Sequence, residues 1–166
     1  MPAQIRGVKL ITTVAAASAL LISATLHAAT CFVSSAALAF GQYDGLAPAA
    51  KESLGVVRVS CTKDSTLLAE TVNLTLQLLP SPQGAAGSHR LNAGGSTLSF
   101  DLFTDLLHTR LWGDGSQGTF TIGGLVALTA ANPTAIVEFP IYGRIPPRLP
   151  SPAGPYSGLF TVVLSF

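Results

Sequence analysis

Residues 155–166 have the sequence PYSGLFTVVLSF, and apolar side chains recur at every second position toward its end. One face of this stretch carries Phe160, Val162, Leu164 and Phe166. The opposite face carries Thr161 and Ser165. Successive side chains of an extended chain point to opposite faces, so this period of two predicts a β-strand with one apolar face. Domains more often end in a polar, frayed tail.

The same period recurs along the rest of the chain, in segments of strand length separated by Gly- and Pro-rich turns. These segments are CFVSSAALAFGQYD (31–44), LGVVRVSC (54–61), TVNLTLQLL (71–79), STLSFDLFTD (96–105), GTFTIGGLVALTA (118–130) and TAIVEFPIYGRI (134–145). The segment LAPAAKES (46–53) could supply one helical turn, and PSPQGAAGSHR (80–90) has the composition of a loop. About seven short strands without a long helix predict an all-β, antiparallel sandwich.

The first 28 residues have the composition of a secretory signal peptide. Arg6 and Lys9 precede an apolar run from Leu10 to Leu26, and small residues follow it. These are the parts of a cleavable signal, so we assign residues 1–28 to the signal and 29–166 to one secreted domain. An uncleaved transmembrane anchor is the alternative, although the run contains five Ser and Thr residues and is short for a span.

The chain contains two cysteines, Cys31 and Cys61. In an exported chain, an even number of cysteines predicts a disulfide. A disulfide between them would close a loop of about 30 residues, which would stabilise the fold by about 3–4 kcal/mol in the chain-entropy account. A lipid anchor on Cys31 is the alternative, but Ala28-Ala29-Thr30 does not resemble the residues that precede an acylated cysteine, and acylation would leave Cys61 unpaired.

The charge balance gives no reason to expect an anionic partner. Removal of the signal peptide takes two of the nine basic residues, so seven remain against eight acidic ones. No basic stripe is present, and we therefore expect no binding to nucleic acid.

The motifs that would indicate chemistry are weak. GDGSQG (113–118) has the glycine spacing of a dinucleotide fingerprint, but a β-branched segment follows it where that motif requires a helix, and we interpret it as a tight turn between strands. His89 and His108 lie in polar, loop-like contexts without partners at zinc spacing, and no nucleophile elbow accompanies them. We expect no enzyme activity, metal, cofactor or small-molecule substrate, and we expect Trp112 to cover one end of the core.

The terminal strand is then the feature that points to a function. An immunoglobulin-like sandwich closes with a final strand, named G, that pairs beside strand F, and the strands of this chain run out at F. A missing strand leaves a hydrophobic groove and an unpaired edge, which is an aggregation hazard. The same edge can bind a strand of another chain, as in donor-strand complementation.

At these residues the chain resembles the spore coat protein U-like (SCPU) domain, the subunit type of archaic chaperone–usher pili. WGDG and YGRI are the most specific of the shared motifs. The motifs occur in the family's order and cover nearly all of the mature chain: FGQYD (40–44), VRVSC (57–61), LSFDLFTD (98–105), LWGDG (111–115), IYGRI (141–145) and GPYSGLFTVVLSF (154–166).

The resemblance implies an incomplete immunoglobulin-like sandwich that lacks its final strand and has one disulfide, Cys31–Cys61. It also implies export to the periplasm, capping by a pilus chaperone, passage through an outer-membrane usher, and assembly with other pilin subunits on the cell surface. One wall of the strand-binding groove would be Phe160, Val162, Leu164 and Phe166. Leu38 and Phe40 would form the opposite wall.

Two departures from the family bear on the role of this subunit. A rod-forming subunit needs a strand-length segment before its first cysteine, whereas cleavage after Ala28 or Ala29 leaves one or two residues. Such a subunit could accept a strand but not donate one, which would place it at a fibre tip or terminus. The smaller departure is Gly158, where the family often has an acid.

Earlier cleavage, after Ala19, would leave LLISATLHAAT (20–30) as a donor strand whose alternate residues are apolar. We favour the later site. A self-contained secreted coat or adhesive protein with a closed sandwich is the alternative function. It would need an additional strand from within the chain, for which PTAIVEFP (133–140) is a candidate.

Overall fold

The computed structural model describes residues 29–64, 69–81 and 88–166. Eight β-strands and no helix are present in these ranges. The strands are β1 (Ala29–Ala37), β2 (Lys51–Lys63), β3 (Ala69–Leu78), β4 (Ser88–Ala93), β5 (Ser96–Phe103), β6 (Ile122–Thr129), β7 (Thr134–Ile145) and β8 (Val162–Ser165). The predictions for residues 1–28, which include the signal peptide and the donor segment, lie outside the described residues.

The strands form two antiparallel sheets. One sheet has five strands in the order β1-β2-β7-β5-β4, and the other has three in the order β6-β3-β8. Apolar side chains of both sheets meet in one core, which confirms the all-β sandwich predicted from the period of two. No helix long and apolar enough to cross a membrane occurs in the ranges described.

The strand alternation predicted from the sequence corresponds to the observed burial. On β2, Val57 and Val59 are fully buried, whereas Val56 and Arg58 are exposed. On β3, Leu74, Leu76 and Leu78 line the inner face in the same way. Trp112 is also fully buried, and its Nε1 donates a hydrogen bond to the Leu76 carbonyl at 3.3 Å. This confirms that Trp112 belongs to the core, where its indole N–H needs a partner.

The disulfide joins the first two strands. Cys31 and Cys61 are directly opposite each other in the antiparallel register of β1 and β2, and both side chains point into the core. Their sulfur atoms are bonded, which confirms the predicted pair. The bridge fixes the beginning of β1 to β2.

Three local predictions were wrong. The loop predicted at 80–90 ends in strand β4, which forms a hairpin with β5 around Gly94 and Gly95. Lys51, Glu52 and Ser53 begin β2, so LAPAAKES forms no helical turn. GDGSQG is not a simple hairpin turn, because Trp112 and Phe120 pair in parallel across it.

The segment PTAIVEFP does not lie beside β8. Residues 134–140 belong to β7 and pair with β2 in the five-stranded sheet, whereas β5 pairs with β7 only at Tyr142–Arg144. The closed-sandwich alternative would therefore need its additional strand from elsewhere.

Candidate functional site

Strand β8 lies at the edge of the three-stranded sheet. It pairs with β3 from Val162↔Leu78 to Ser165↔Thr75, and in the described part of the chain no strand lies on its other edge. Leu76 and Leu78 of β3 are fully buried, whereas the inward residues of β8 opposite them are only partly buried. The core is therefore less well covered along β8 than along its neighbour.

The hydrogen-bond pattern shows which backbone groups of β8 face outward from the sheet. Leu79 N–H donates to the Thr161 carbonyl at 3.0 Å, so Thr161 forms a hydrogen-bonded pair with β3. Such pairs alternate along antiparallel strands. The N–H and C=O groups of Val162 and Leu164 therefore point away from β3, toward the uncovered edge. This edge presents backbone groups that a further strand can bind.

Residues 38–46, which follow β1, contain Leu38 and Phe40, the residues predicted for the wall opposite β8, and we call this segment the first wall. Here the chain leaves the sheet and crosses the inner face of β2 and β7 at two glycines. A methyl group at Gly143 would overlap the side chains of Leu38 and Phe40, and one at Gly55 would overlap the Ala37 carbonyl and Leu38. The glycine of the IYGRI motif therefore makes room for the two apolar residues of this wall.

Hydrogen bonds hold this segment in place. The Tyr43 hydroxyl donates to the Pro146 carbonyl at 2.8 Å and accepts from the Leu149 N–H at 3.0 Å. The Ser53 hydroxyl donates to the Ala39 carbonyl at 2.6 Å. Ala39 thus fixes the first wall to β2, and Tyr43 of the FGQYD motif fixes it to the loop that follows β7.

A cavity of about 1080 Å³ opens between residues 38–46 and residues 150–158, the loop that leads into β8. Leu91, Leu98 and Ile145 contribute apolar side chains from the five-stranded sheet, and Asp44 is the only charged residue among those that line it. We call this space the lateral cavity. Its volume exceeds the range of about 300–1,000 Å³ usual for small-molecule sites, and its lining suits an uncharged, extended occupant.

A row of rings joins the two predicted walls. Phe40 packs edge-on against Phe100 of β5, with 5.5 Å between ring centroids. Phe100 lies 5.6 Å from the ring of His89 on β4, and His89 lies 6.4 Å from Phe160. Phe100 and His89 thus connect a residue of the first wall to a residue beside β8, and we call these two residues the floor.

The structure can be compared with the predicted groove residue by residue. Leu38 and Phe40 line the lateral cavity and pack against the core. Phe160, Val162 and Leu164 also pack against the core, but they are not among the residues that line the cavity. Phe166 is 52% exposed. Binding of a strand by these residues stays a prediction.

The contacts of Phe100 and His89 were not identified from the sequence, and neither were the hydrogen bonds by which Tyr43 holds the first wall. Tyr43 was recognised only as part of a motif, and Phe100 only as an inward residue of its strand. The prediction that His89 lies in a polar loop was wrong, because His89 is an inward residue of β4 and only 2% exposed. The sequence does contain a signal for this strand: His89 and Leu91 alternate with the polar residues Arg90 and Asn92, and a Gly-Gly turn follows.

His89 and His108 have different surroundings. Desolvation by burial lowers the pKa of His89, so its ring is neutral at neutral pH. His108 has a positive φ of 54° and packs between Phe103 and Tyr142, and its Nδ1 lies 3.7 Å from a Glu52 carboxylate oxygen. In the described ranges, no three His, Cys, Asp or Glu side chains are grouped so that they could hold a metal ion.

The WGDG loop has a structural explanation in this fold. A methyl group at Gly113 would overlap Thr119, and the Gly113 carbonyl accepts a hydrogen bond from Leu78 N–H. Hydrogen bonds from the Ser116 side chain and backbone hold the pKa of Asp114 below its usual value. The loop is thus fixed against the end of β3, next to the point where β8 begins to pair.

Comparison with known proteins identifies one family. The model of the Spore Coat Protein U domain matches residues 16–163, nearly the whole chain. A search of curated proteins finds no significant match. The family is a structural one, associated with pilus-type and coat proteins of the cell surface.

Proposed function

This chain belongs to the Spore Coat Protein U domain family, and we propose that it is a structural subunit of a chaperone–usher pilus. In this proposal the subunit passes through the periplasm, where a chaperone occupies its open edge. It then passes through an outer-membrane usher, and a strand from another pilin subunit replaces the chaperone at the cell surface.

The edge of β8 is the observation that carries the proposal. Val162 and Leu164 are partly buried inward residues, and their backbone groups point away from the only strand that pairs with β8 in the described residues. The lateral cavity, which the loop leading into β8 helps to line, has an almost uncharged lining. An extended apolar segment would satisfy the backbone groups and cover the apolar surface together, as in β-augmentation.

The proposed place of this subunit in the fibre depends on the signal cleavage site. Cleavage after Ala28 leaves Ala29 and Thr30 before Cys31, so that the subunit accepts a strand without donating one and stands at a tip or terminus. The rival is cleavage after Ala19, which leaves the alternating segment 20–30 as a donor.

Intact mass spectrometry of the exported chain separates these two roles. A mature chain that begins at Ala29 or Thr30 supports the tip or terminal position. A chain that begins at Leu20 contradicts it and supports a subunit that also donates a strand.

Co-expression with a pilus chaperone tests the proposal as a whole. The exported chain should aggregate or be degraded when produced alone, because an uncovered apolar edge recruits other chains. A chaperone encoded next to the chain should restore soluble protein as a one-to-one complex. A stable monomer that needs no partner and does not bind such a chaperone would contradict the proposed function.

A further inference from the structure

The outer face of the five-stranded sheet carries one pattern of side chains twice, on the adjacent strands β2 and β7. On each strand an acid is followed, at every second position, by two apolar residues and then by an Arg. The residues between them, such as Val57 and Ile141, are buried in the core, so strand alternation places both patterns on the outer face. The patterns consist of Glu52, Leu54, Val56 and Arg58 on β2, and of Glu138, Pro140, Tyr142 and Arg144 on β7.

The antiparallel register makes this face symmetrical. Gly55 of β2 lies opposite Ile141 of β7, and these two residues are at the middle of the two patterns. Because the strands run in opposite directions, each acid lies opposite the Arg of the other strand: Glu52↔Arg144 and Arg58↔Glu138. These four charged residues, which we call the corners, therefore alternate in sign around the face. The four apolar residues between them are called the centre.

The centre is exposed to solvent. Leu54 is 64% exposed, and Val56 on the same strand is also exposed. Phe103 of β5 lies opposite Tyr142 and extends the apolar surface. Leu106, from the loop after β5, lines a shallow depression together with Leu54 and Tyr142. Monomeric proteins rarely leave a large contiguous apolar surface open unless it binds a partner.

The corner charges contribute little to the stability of a single chain. Arg58 Nε donates to a Glu138 carboxylate oxygen at 2.8 Å, but both side chains stay about half exposed. An ion pair this exposed adds little to the free energy of unfolding, because water screens it. Both side chains therefore remain accessible to charges on another molecule.

The alternation of charge indicates which partner fits this face. Consider a second copy of the chain that lies face to face with the first, related to it by a two-fold axis in the plane of the interface. If the axis runs along the strands, the corners of β2 meet the corners of β7 from the other copy. If it runs across the strands, each strand meets its own reversed copy. Both arrangements place every acid against an Arg and bring the two apolar centres together.

We propose that the outer face of β2 and β7 is an interface that binds the same face of a second copy of this chain. The inference goes beyond the proposed function and requires no bound strand. Strand β8 belongs to the other sheet, so a strand added at its edge extends that sheet and leaves this face free. The contact joins two subunits side by side while the edge of each β8 stays open.

Analytical ultracentrifugation of the chaperone–subunit complex tests this association. If the mature chain is soluble alone, the same measurement is made on the chain itself. The complex should change from one copy of the chain to two as its concentration rises from about 1 to 100 μM, as expected for a modest interface. Leu54→Asp places a carboxylate in each apolar centre and should weaken association by at least about 10-fold. Leu125→Asp is the matched control, because Leu125 is 71% exposed on the outer face of the other sheet.

Charge variants test the corners. Glu52→Lys together with Glu138→Lys makes all four corners positive, and Arg58→Glu together with Arg144→Glu makes all four negative. Each double variant alone should remain a single copy, since every corner then meets a like charge. A mixture of the two should associate at least as tightly as wild type, whichever way the two-fold axis runs. Recovery of soluble chaperone complex shows that each variant folds, and Leu54→Asp provides the test if they do not.

The outcomes separate this inference from the proposed function. A complex that contains one copy of the chain at every concentration would overturn the inference, and chaperone capture would still support the function. Equal effects of Leu54→Asp and Leu125→Asp, or folded charge variants that do not associate when mixed, would also overturn it. A soluble free chain that associates through this face but does not bind the chaperone would support the inference and contradict the function.

Discussion

Phe40 and Phe100 meet edge to face, with ring centroids 5.5 Å apart, and this contact brings the segment after β1 onto the inner face of β5. The first wall therefore crosses the interior of the sandwich to reach β5, although β1, which precedes it, is an edge strand of the five-stranded sheet. Through His89 the same row of rings reaches Phe160. Phe40 and Phe160, which are more than a hundred positions apart in the sequence, are thus connected by one row of rings.

The inward face of β8 should be more sensitive to charge than its outward face. Leu164→Asp places a carboxylate opposite Leu76, and desolvation of that charge should cost about 2 kcal/mol or more. Val163→Asp, opposite Gln77, is the matched control. Yields of the chaperone complex should fall sharply for Leu164→Asp and remain close to wild type for Val163→Asp. Equal yields would contradict the assignment of the inward face.

Gly143→Ala should damage the first wall. The added methyl group overlaps the side chains of Leu38 and Phe40, so these must move, at a cost of about 1–3 kcal/mol for overpacking. Gly154→Ala is the control, because its nearest neighbour would be the Ala93 Cβ at 3.9 Å, an ordinary contact. Denaturant unfolding of each variant, after release from its chaperone complex, measures the two free energies of unfolding. A Gly143→Ala variant as stable as Gly154→Ala would show that the wall lies elsewhere.

Stability should fall at mildly acid pH because of His89. Its pKa is below 6.5 in the folded chain, since burial disfavours the charged ring, whereas the unfolded chain keeps the ordinary value. As the pH falls below about 7, the unfolded chain binds a proton before the folded chain does, so the free energy of unfolding decreases. The decrease ends once the pH passes below the lowered pKa of the folded state.

Urea unfolding between pH 7.5 and 5 measures this effect. His89→Phe keeps an aromatic ring next to Phe100 and Phe160, so it should lose this part of the pH dependence. His108→Gln serves as the control. If His89→Phe keeps the same acid-side decrease as wild type, another group is responsible.

The disulfide should supply a large share of the stability. Replacing both Cys31 and Cys61 with Ala opens a loop whose ends are 30 residues apart in sequence, and the chain-entropy account predicts a loss of about 3–4 kcal/mol. The cysteines link the beginning of β1 to β2, and β1 leads into the first wall, so chaperone capture should weaken with stability. Thermal unfolding with and without reductant measures the loss. Unchanged stability after reduction would contradict this role.

The strands were predictable where alternation was strong. In TVNLTLQLL, every second residue is aliphatic, and these residues line the inner face of β3. β4 was missed because Arg90 and Asn92 make SHRLNA polar overall, although its alternate residues point inward. The Gly-Gly turn was the stronger local signal for that hairpin.

The packing of Leu38 and Phe160 against the core was predictable for the same reason, but the contacts of His89 were not. Leu38, Phe160 and their alternating neighbours follow from period and family resemblance. The contact between His89 and Phe160 depends on how the last segment crosses from the edge of β4 to β3. That crossing is set by tertiary packing, which leaves no periodic signal in the sequence.

The central claim is that the outer edge of β8 accepts a strand, and amide hydrogen exchange tests it most directly. The mature chain is compared with and without saturating peptide LLISATLHAAT. The account predicts that the amides of Val162 and Leu164 exchange rapidly in the free chain and become protected with peptide. The amides of Val163 and Ser165, which face β3, should be protected in both states. Peptide binding that leaves the amides of Val162 and Leu164 unprotected would contradict the claim.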